Sequence, residues 1–215
     1  MTLGLRTTTM LLDHLDQDMA WRIKEIHQFK TAVDQARGRN VEAHIRAGVS
    51  MLYAHWEGFI KGSANAYVNY LSYRADRNRA LKPCFIALGM KARLATSGAS
   101  AKSDVAVETV SYLLTELDRP VHLPREDAIS AESNLSSTVF INIAGWIGID
   151  PARYSTRFPL IDNILLKSRN NIAHGQYLTI TPHAFYNLVT EVLEMLRWFK
   201  TDVENAVVSQ SFLVA

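Results

Sequence analysis

The sequence predicts an all-α protein, a single-domain helical bundle over residues 1–215 built on two long antiparallel helices. Three observations predict it. Apolar residues recur at steps of three and four through the early part of the chain, recognisable helix starts and stops follow further on, and no stretch alternates with a strand's period of two. No internal repeat, low-complexity tract or linker marks a second domain. At 215 residues the chain is long enough to bury roughly 70% of the surface its unfolded form exposes.

The first helix is read from Leu12, Leu15, Met19, Ile23, Ile26, Phe29 and Val33, one apolar stripe of helical period, with Gly38 as its stop. A second stripe runs through Ile45, Val49, Leu52, Trp56, Phe59, Ser63, Tyr67 and Tyr70. The short joint Ala36 to Asn40 forces these two helices side by side and antiparallel. From Arg74 to Lys102 periodicity weakens. The bases Arg74, Arg77, Arg79, Lys82, Lys91, Arg93 and Lys102 face only Asp76 there and form a local basic surface. The acid-rich segment Asp104 to Glu132 follows, and the sequence leaves open whether it neutralises the basic one.

A helix is expected from about Val105 to Leu117, then a loop holding Pro120 and Pro124, then a helix from about Ser136 to Trp146 closed by Gly148. Ile161, Leu165, Ser168 and Ile172 mark the buried stripe of a penultimate helix, with Arg169 beside the core face and His174 at or just past its end. Gly175 lets the chain turn. Thr181 as cap and Pro182 at the first position start the last helix, whose stripe is Phe185, Val189, Val192, Leu196, Phe199 and Val203.

Composition narrows function only slightly. Lys and Arg total 23 against 21 Asp and Glu, a net charge of +2, so global charge does not argue for nucleic acid. The single Cys84 excludes an internal disulfide and a cysteine-rich zinc site, and fits a reducing, cytoplasmic compartment. The N-terminal stretch has no secretion-signal pattern, and the longest uncharged run, Ser133 to Ile149, is too short and too polar for a membrane span.

Chemistry concentrates in Arg169-Asn170-Asn171-Ile172-Ala173-His174-Gly175. Arginine stays protonated and forks onto phosphate oxygens, while a histidine with an ordinary pKa of about 6.5 exchanges protons near neutrality. On a helix Asn170 and His174 share a face, with Arg169 about 100 degrees round from Asn170, so all three rim one shallow site. The plain alternative is a helix C-terminus whose cations favour the negative end of the dipole.

Around that motif the sequence resembles the HEPN superfamily, and within it the bacterial MAE-type HEPN-like nucleases. The resemblance covers nearly the whole chain: RNNIAHG at 169–175, MAWRIKEI at 19–26, IRAGVSMLYAHWEGFIK at 45–61, ESNLSSTVF at 132–140 and MLRWFKTDVENA at 195–206. It implies an elongated helical fold, a homodimer that brings two such motifs together, and metal-independent RNase activity in defence or toxin–antitoxin settings. Carried over by position, Arg169 binds and polarises the scissile phosphate, Asn170 is the polar residue that follows the arginine, and His174 moves the proton. The ribose 2′-hydroxyl attacks phosphorus, leaving a 2′,3′-cyclic phosphate, with no cofactor and no metal required. An antitoxin or other regulatory partner follows from the same resemblance. One departure stands out: where some relatives carry a modifiable tyrosine two residues after the histidine, this chain has Gln176, with Tyr177 one place later.

The remaining candidates have plainer readings. His14 and Asp18 share a helical face, yet Asp13 and Asp16 beside them make a solvated acidic face the stronger expectation. Glu57, in His55-Trp56-Glu57, reaches the active site, an interface or solvent. Trp21, Trp56, Trp146 and Trp198 are assigned to the core, and His183 to the surface of the last helix's first turn. Besides the endoribonuclease, two other classes are carried: an RNA- or nucleotide-binding adaptor that holds without cutting, and a structural dimer subunit.

Overall fold

A computed structural model describes residues 4–74, 76–130 and 134–214. Its helices are α1 (Thr8–Gln35), α2 (Asn40–Leu71), α3 (Pro83–Gly89), α4 (Lys91–Gly98), α5 (Ser103–Glu116), α6 (Ser137–Trp146), α7 (Lys167–Ala173) and α8 (Pro182–Val208). Short 3-10 turns occupy Asn78–Ala80 and Ala152–Arg157, and a π-helical segment, Leu160–Leu166, runs directly into α7. The fold is all-α. Among the described residues the one strand-like feature is an isolated antiparallel bridge between Leu81 and Leu213. No helix of the described residues is long and apolar enough to cross a membrane. Glu132 and Ser133, which open the ESNLSSTVF stretch, lie outside the described residues.

Each long helix starts and buries as its residues dictate. Thr7 caps α1, its hydroxyl accepting from the Met10 N–H at 3.2 Å. The inner face of α1 then carries Leu11, Leu15, Met19, Ile26 and Val33. In α2 every residue of the expected stripe, from Ile45 to Tyr70, is buried, and Trp56 and Phe59 are fully so. Each such large apolar side chain is worth about 1.5–3 kcal/mol of transfer free energy. Antiparallel pairing shows in the contacts: Thr8 Oγ1 meets Tyr70 Oη at 3.0 Å, while Arg22 Nη1 reaches the His55 carbonyl at 3.4 Å.

The last helix completes a three-helix core. Thr181 Oγ1 accepts from the Ala184 N–H at 3.2 Å, and Pro182 supplies the preset first turn. α8 runs antiparallel to α1, with Tyr186 Oη on Asp34 at one end and Lys200 Nζ on Asp16 at the other. It approaches α2 closely because Gly48 has no side chain: a Cβ there would sit 2.7 Å from the Phe185 ring.

Several expectations are adjusted. α1 ends at Gln35, before Gly38, whose φ of +59° serves the turn into α2. The weakly periodic basic segment is two short helices, α3 and α4, joined at Met90. Acids of the next segment do neutralise part of it: Arg79 Nε lies 2.6 Å from Asp118 and Arg93 Nη1 lies 3.0 Å from Glu108. Trp56 is buried and Trp146 and Trp198 pack partly against the core, but Trp21 is 48% exposed. The reason is local. Its indole N–H donates to Asp18 at 2.8 Å, and the Arg22 guanidinium, 4.5 Å from its ring, takes the inward position on α1 instead.

Candidate active site

The penultimate helix is built in two geometries. Its first part is the π segment, an arrangement frequent near functional positions, and Asp162 within it accepts from both the N–H (2.7 Å) and the hydroxyl of Ser137 at the start of α6. An acid at a helix N-terminus is favourably placed. After α7 the chain stops cleanly. The Gln176 N–H donates to the Asn171 carbonyl at 2.8 Å and the Gly175 N–H to the Ile172 carbonyl at 3.1 Å, with Gly175 at φ +70°. This is a Schellman termination, and it makes His174 the cap residue. His174 is exposed there, and no side chain of the described residues hydrogen-bonds its ring.

Arg169 sits half-buried on α7 with its guanidinium carbon 4.5 Å from the centre of the Tyr53 ring on α2. Its Nη1 donates to Asn170 Oδ1 at 2.8 Å, so the adjacent amide fixes the guanidinium plane. Two other inward-lying arginines have acids: Arg22 has Asp18, and Arg157 has Glu191 and Glu194. Among the described residues no carboxylate lies within ion-pair distance of Arg169. Among the described residues, an aromatic face and one amide leave its positive charge uncompensated and several of its five N–H donors unused. A group in that state has the chemistry to accept an anion.

Behind Arg169 stands a buried polar network. Tyr53 is 2% exposed, and its oxygen accepts from the Leu135 N–H at 2.6 Å. Burial first, and then the neighbouring Glu57 carboxylate, push the Tyr53 hydroxyl well above the usual tyrosine range, so it stays protonated. Glu57 Oε2 and Asn134 Oδ1 are buried without a hydrogen-bond partner among the described residues. The segment before α6 is thereby tied to α2 through Tyr53, and the start of α6 to the π segment through Asp162. Both ties hold the surface from which Arg169 projects.

Of the residues singled out in the sequence, Arg169 and Asn170 touch, and His174 stands at the exposed end of the same helix. Glu57 stands behind Arg169 through Tyr53 rather than in solvent. Tyr53 itself was not singled out, because it lies off the main stripe of α2. Its signal was a second stripe, Arg46, Tyr53 and Glu57, spaced seven and four apart along one face. Asp18, paired in sequence with His14, is occupied by Arg22 and Trp21. His183 is exposed, with Nε2 3.2 Å from the Asn187 amide. His55 is buried with Nε2 3.0 Å from Glu25 Oε2, outside good hydrogen-bond geometry. Burial, and then the charge of Arg22, lower its pKa, with Glu25 opposing.

Fold and site together define an all-helical protein with an arginine on its penultimate helix that pairs with no carboxylate among the described residues, and a histidine at that helix's end. A family model of the MAE-type HEPN-like proteins matches residues 11–212, and the chain belongs to that family. No curated protein and no solved structure matches it. Family membership supports a nuclease or RNA-related module in general terms.

Proposed function

We propose that the protein is a metal-independent endoribonuclease of a bacterial defence or toxin–antitoxin system. The observation that carries this reading is Arg169: half-buried, aimed by Tyr53 and Asn170, and without a carboxylate among the described residues. A cation so placed is ready for a phosphate. Arg169 holds the scissile phosphodiester and takes up charge that builds on its oxygens. The 2′-hydroxyl of the same nucleotide attacks phosphorus, the P–O5′ bond breaks, and a 2′,3′-cyclic phosphate and a 5′-hydroxyl result. His174 transfers one of the two protons involved, a contribution of about 10² to 10⁴ in rate.

One histidine per chain serves one proton. A homodimer that faces two copies of Arg169, Asn170 and His174 across a two-fold axis supplies the second, one taking the proton of the 2′-hydroxyl and the other protonating the leaving 5′-oxygen. The exposure of His174, with no side chain among the described residues to set its tautomer, suits a site completed by a partner copy. The same lack of an orienting group is what favours the second reading, an adaptor that binds RNA or a nucleotide through Arg169 and cuts nothing. A strand with one 2′-deoxy nucleotide decides between them. The endoribonuclease cuts the unmodified strand and spares the single bond that follows the deoxy sugar; cleavage at that bond contradicts 2′-hydroxyl attack, and an intact unmodified strand supports the adaptor.

A further inference from the structure

We propose that Tyr177, with Arg46 beneath it, is a stacking subsite for the nucleobase next to the phosphate held by Arg169, so that the substrate is single-stranded RNA with an unpaired base at that position. The inference rests on the RNA reading of the site above.

Tyr177 is 74% exposed, more than any other large apolar side chain among the described residues. Exposure alone means little, but this ring is held. Its hydroxyl donates to Glu42 Oε2 at 2.8 Å, and the Arg46 guanidinium carbon lies 5.9 Å from its centre. Among the described residues Arg46 has no carboxylate within ion-pair distance, so its charge is free to meet a second phosphate. One face of the ring thus has a cation against it, and the ring is otherwise open to solvent. Base-stacking sites combine these parts: a fixed aromatic plane and a nearby cation for the backbone.

Position makes the case. Arg46 and Tyr53 lie seven residues apart on the α2 stripe, about 10 Å along the helix. Arg169 is seated over Tyr53 and Tyr177 over Arg46, so the chain from 169 to 177 runs back along α2 with His174 between the two contacts. A strand whose phosphate sits on Arg169 passes His174 and brings the neighbouring nucleotide to Tyr177. Tethering the loop to α2 explains the hydroxyl bond to Glu42, but not a second unpaired arginine under an open ring on the same stripe.

The test uses the full chain and a fluorescent single-stranded RNA carrying 2′-O-methyl groups throughout, which binds but cannot be cut. Tyr177→Ala is expected to weaken binding roughly 5- to 150-fold, the range that losing one base–aromatic stack gives. Tyr177→Phe, which keeps the ring and loses the Glu42 bond, is expected to stay within about threefold of wild type. A set of strands each with one abasic position should contain one on which wild type and Tyr177→Ala bind alike. Equal binding by wild type and Tyr177→Ala on all strands, or an equal loss in the Phe and Ala variants, overturns the subsite. Cleavage of unmodified RNA by wild type is scored separately: tight binding with no cleavage overturns the nuclease and leaves the subsite standing, and cleavage with no Tyr177 effect does the reverse.

Discussion

Tyr53→Phe separates what the hydroxyl does from what the ring does. The hydroxyl accepts from the buried Leu135 N–H at 2.6 Å, with the Glu57 carboxylate nearby keeping it protonated. Phenylalanine leaves that N–H unmatched in the interior. An orphaned buried donor costs about 1–3 kcal/mol. In a chain of this length each kcal/mol moves the melting temperature by about 2–4 °C, and a fall of about 2–12 °C is expected by calorimetry. The ring remains, however, and with it the face on which Arg169 lies. RNA cleavage per folded molecule, assayed well below the transition, should drop less than tenfold. Tyr53→Leu removes the ring too and gives up about 0.5–2 kcal/mol of cation–π attraction, so cleavage should fall well beyond the Phe value. A Tyr53→Phe melting temperature within about 2 °C of wild type, or equal cleavage by the two variants, would refute the network.

Other expectations follow from single contacts. Arg169→Lys keeps the charge but loses the planar fork and its bond to Asn170; cleavage is expected to fall about 10²-fold, and an unchanged rate argues that only net charge is needed. His55 sets a pH dependence. Its pKa in the folded state is below that of the unfolded chain, so the unfolded state binds the extra proton and stability falls as pH drops below about 6.5. Melting temperature measured from pH 8 to pH 5 should therefore decline less in His55→Gln than in wild type, and parallel curves count against this assignment. Gly48→Ala forces a methyl to 2.7 Å from the buried Phe185 ring; overpacking of about 1–3 kcal/mol should lower the melting temperature by several degrees, and no shift means that α2 and α8 separate freely.

Much of the fold was legible because long helices announce themselves through one buried stripe. The stripes of α2 and α8, from Ile45 to Tyr70 and from Phe185 to Val203, are buried residue for residue, and Thr181-Pro182 begins α8 as its capping chemistry requires. The end of α7 was legible for the same reason, since only a residue such as Gly175 turns the chain at positive φ without strain. What periodicity missed depends on partners distant in sequence. The Leu160–Leu166 π segment is not visible in a stripe that reads equally well as α-helix, and it is anchored by Asp162 reaching Ser137. Neutralisation of the basic segment needed Asp118 and Glu108 to arrive from α5 and the loop after it. Trp21 followed its neighbour Arg22 rather than its own hydrophobicity. At the site, Arg169, Asn170 and His174 stood out by residue type and Glu57 as an acid in an apolar stretch, whereas Tyr53, and which of its three readings Glu57 takes, emerge only once α7 is laid on α2.

Metal-independent cleavage of RNA is tested by a time course with end-labelled single-stranded RNA in excess chelator, wild type beside His174→Ala and a matched DNA strand. RNA cleavage ending in 2′,3′-cyclic phosphate is expected, with a loss of about 10² to 10⁴ in the variant with RNA still bound, and intact DNA. Cleavage that persists undiminished in His174→Ala, or that requires the metal the chelator removes, would contradict it.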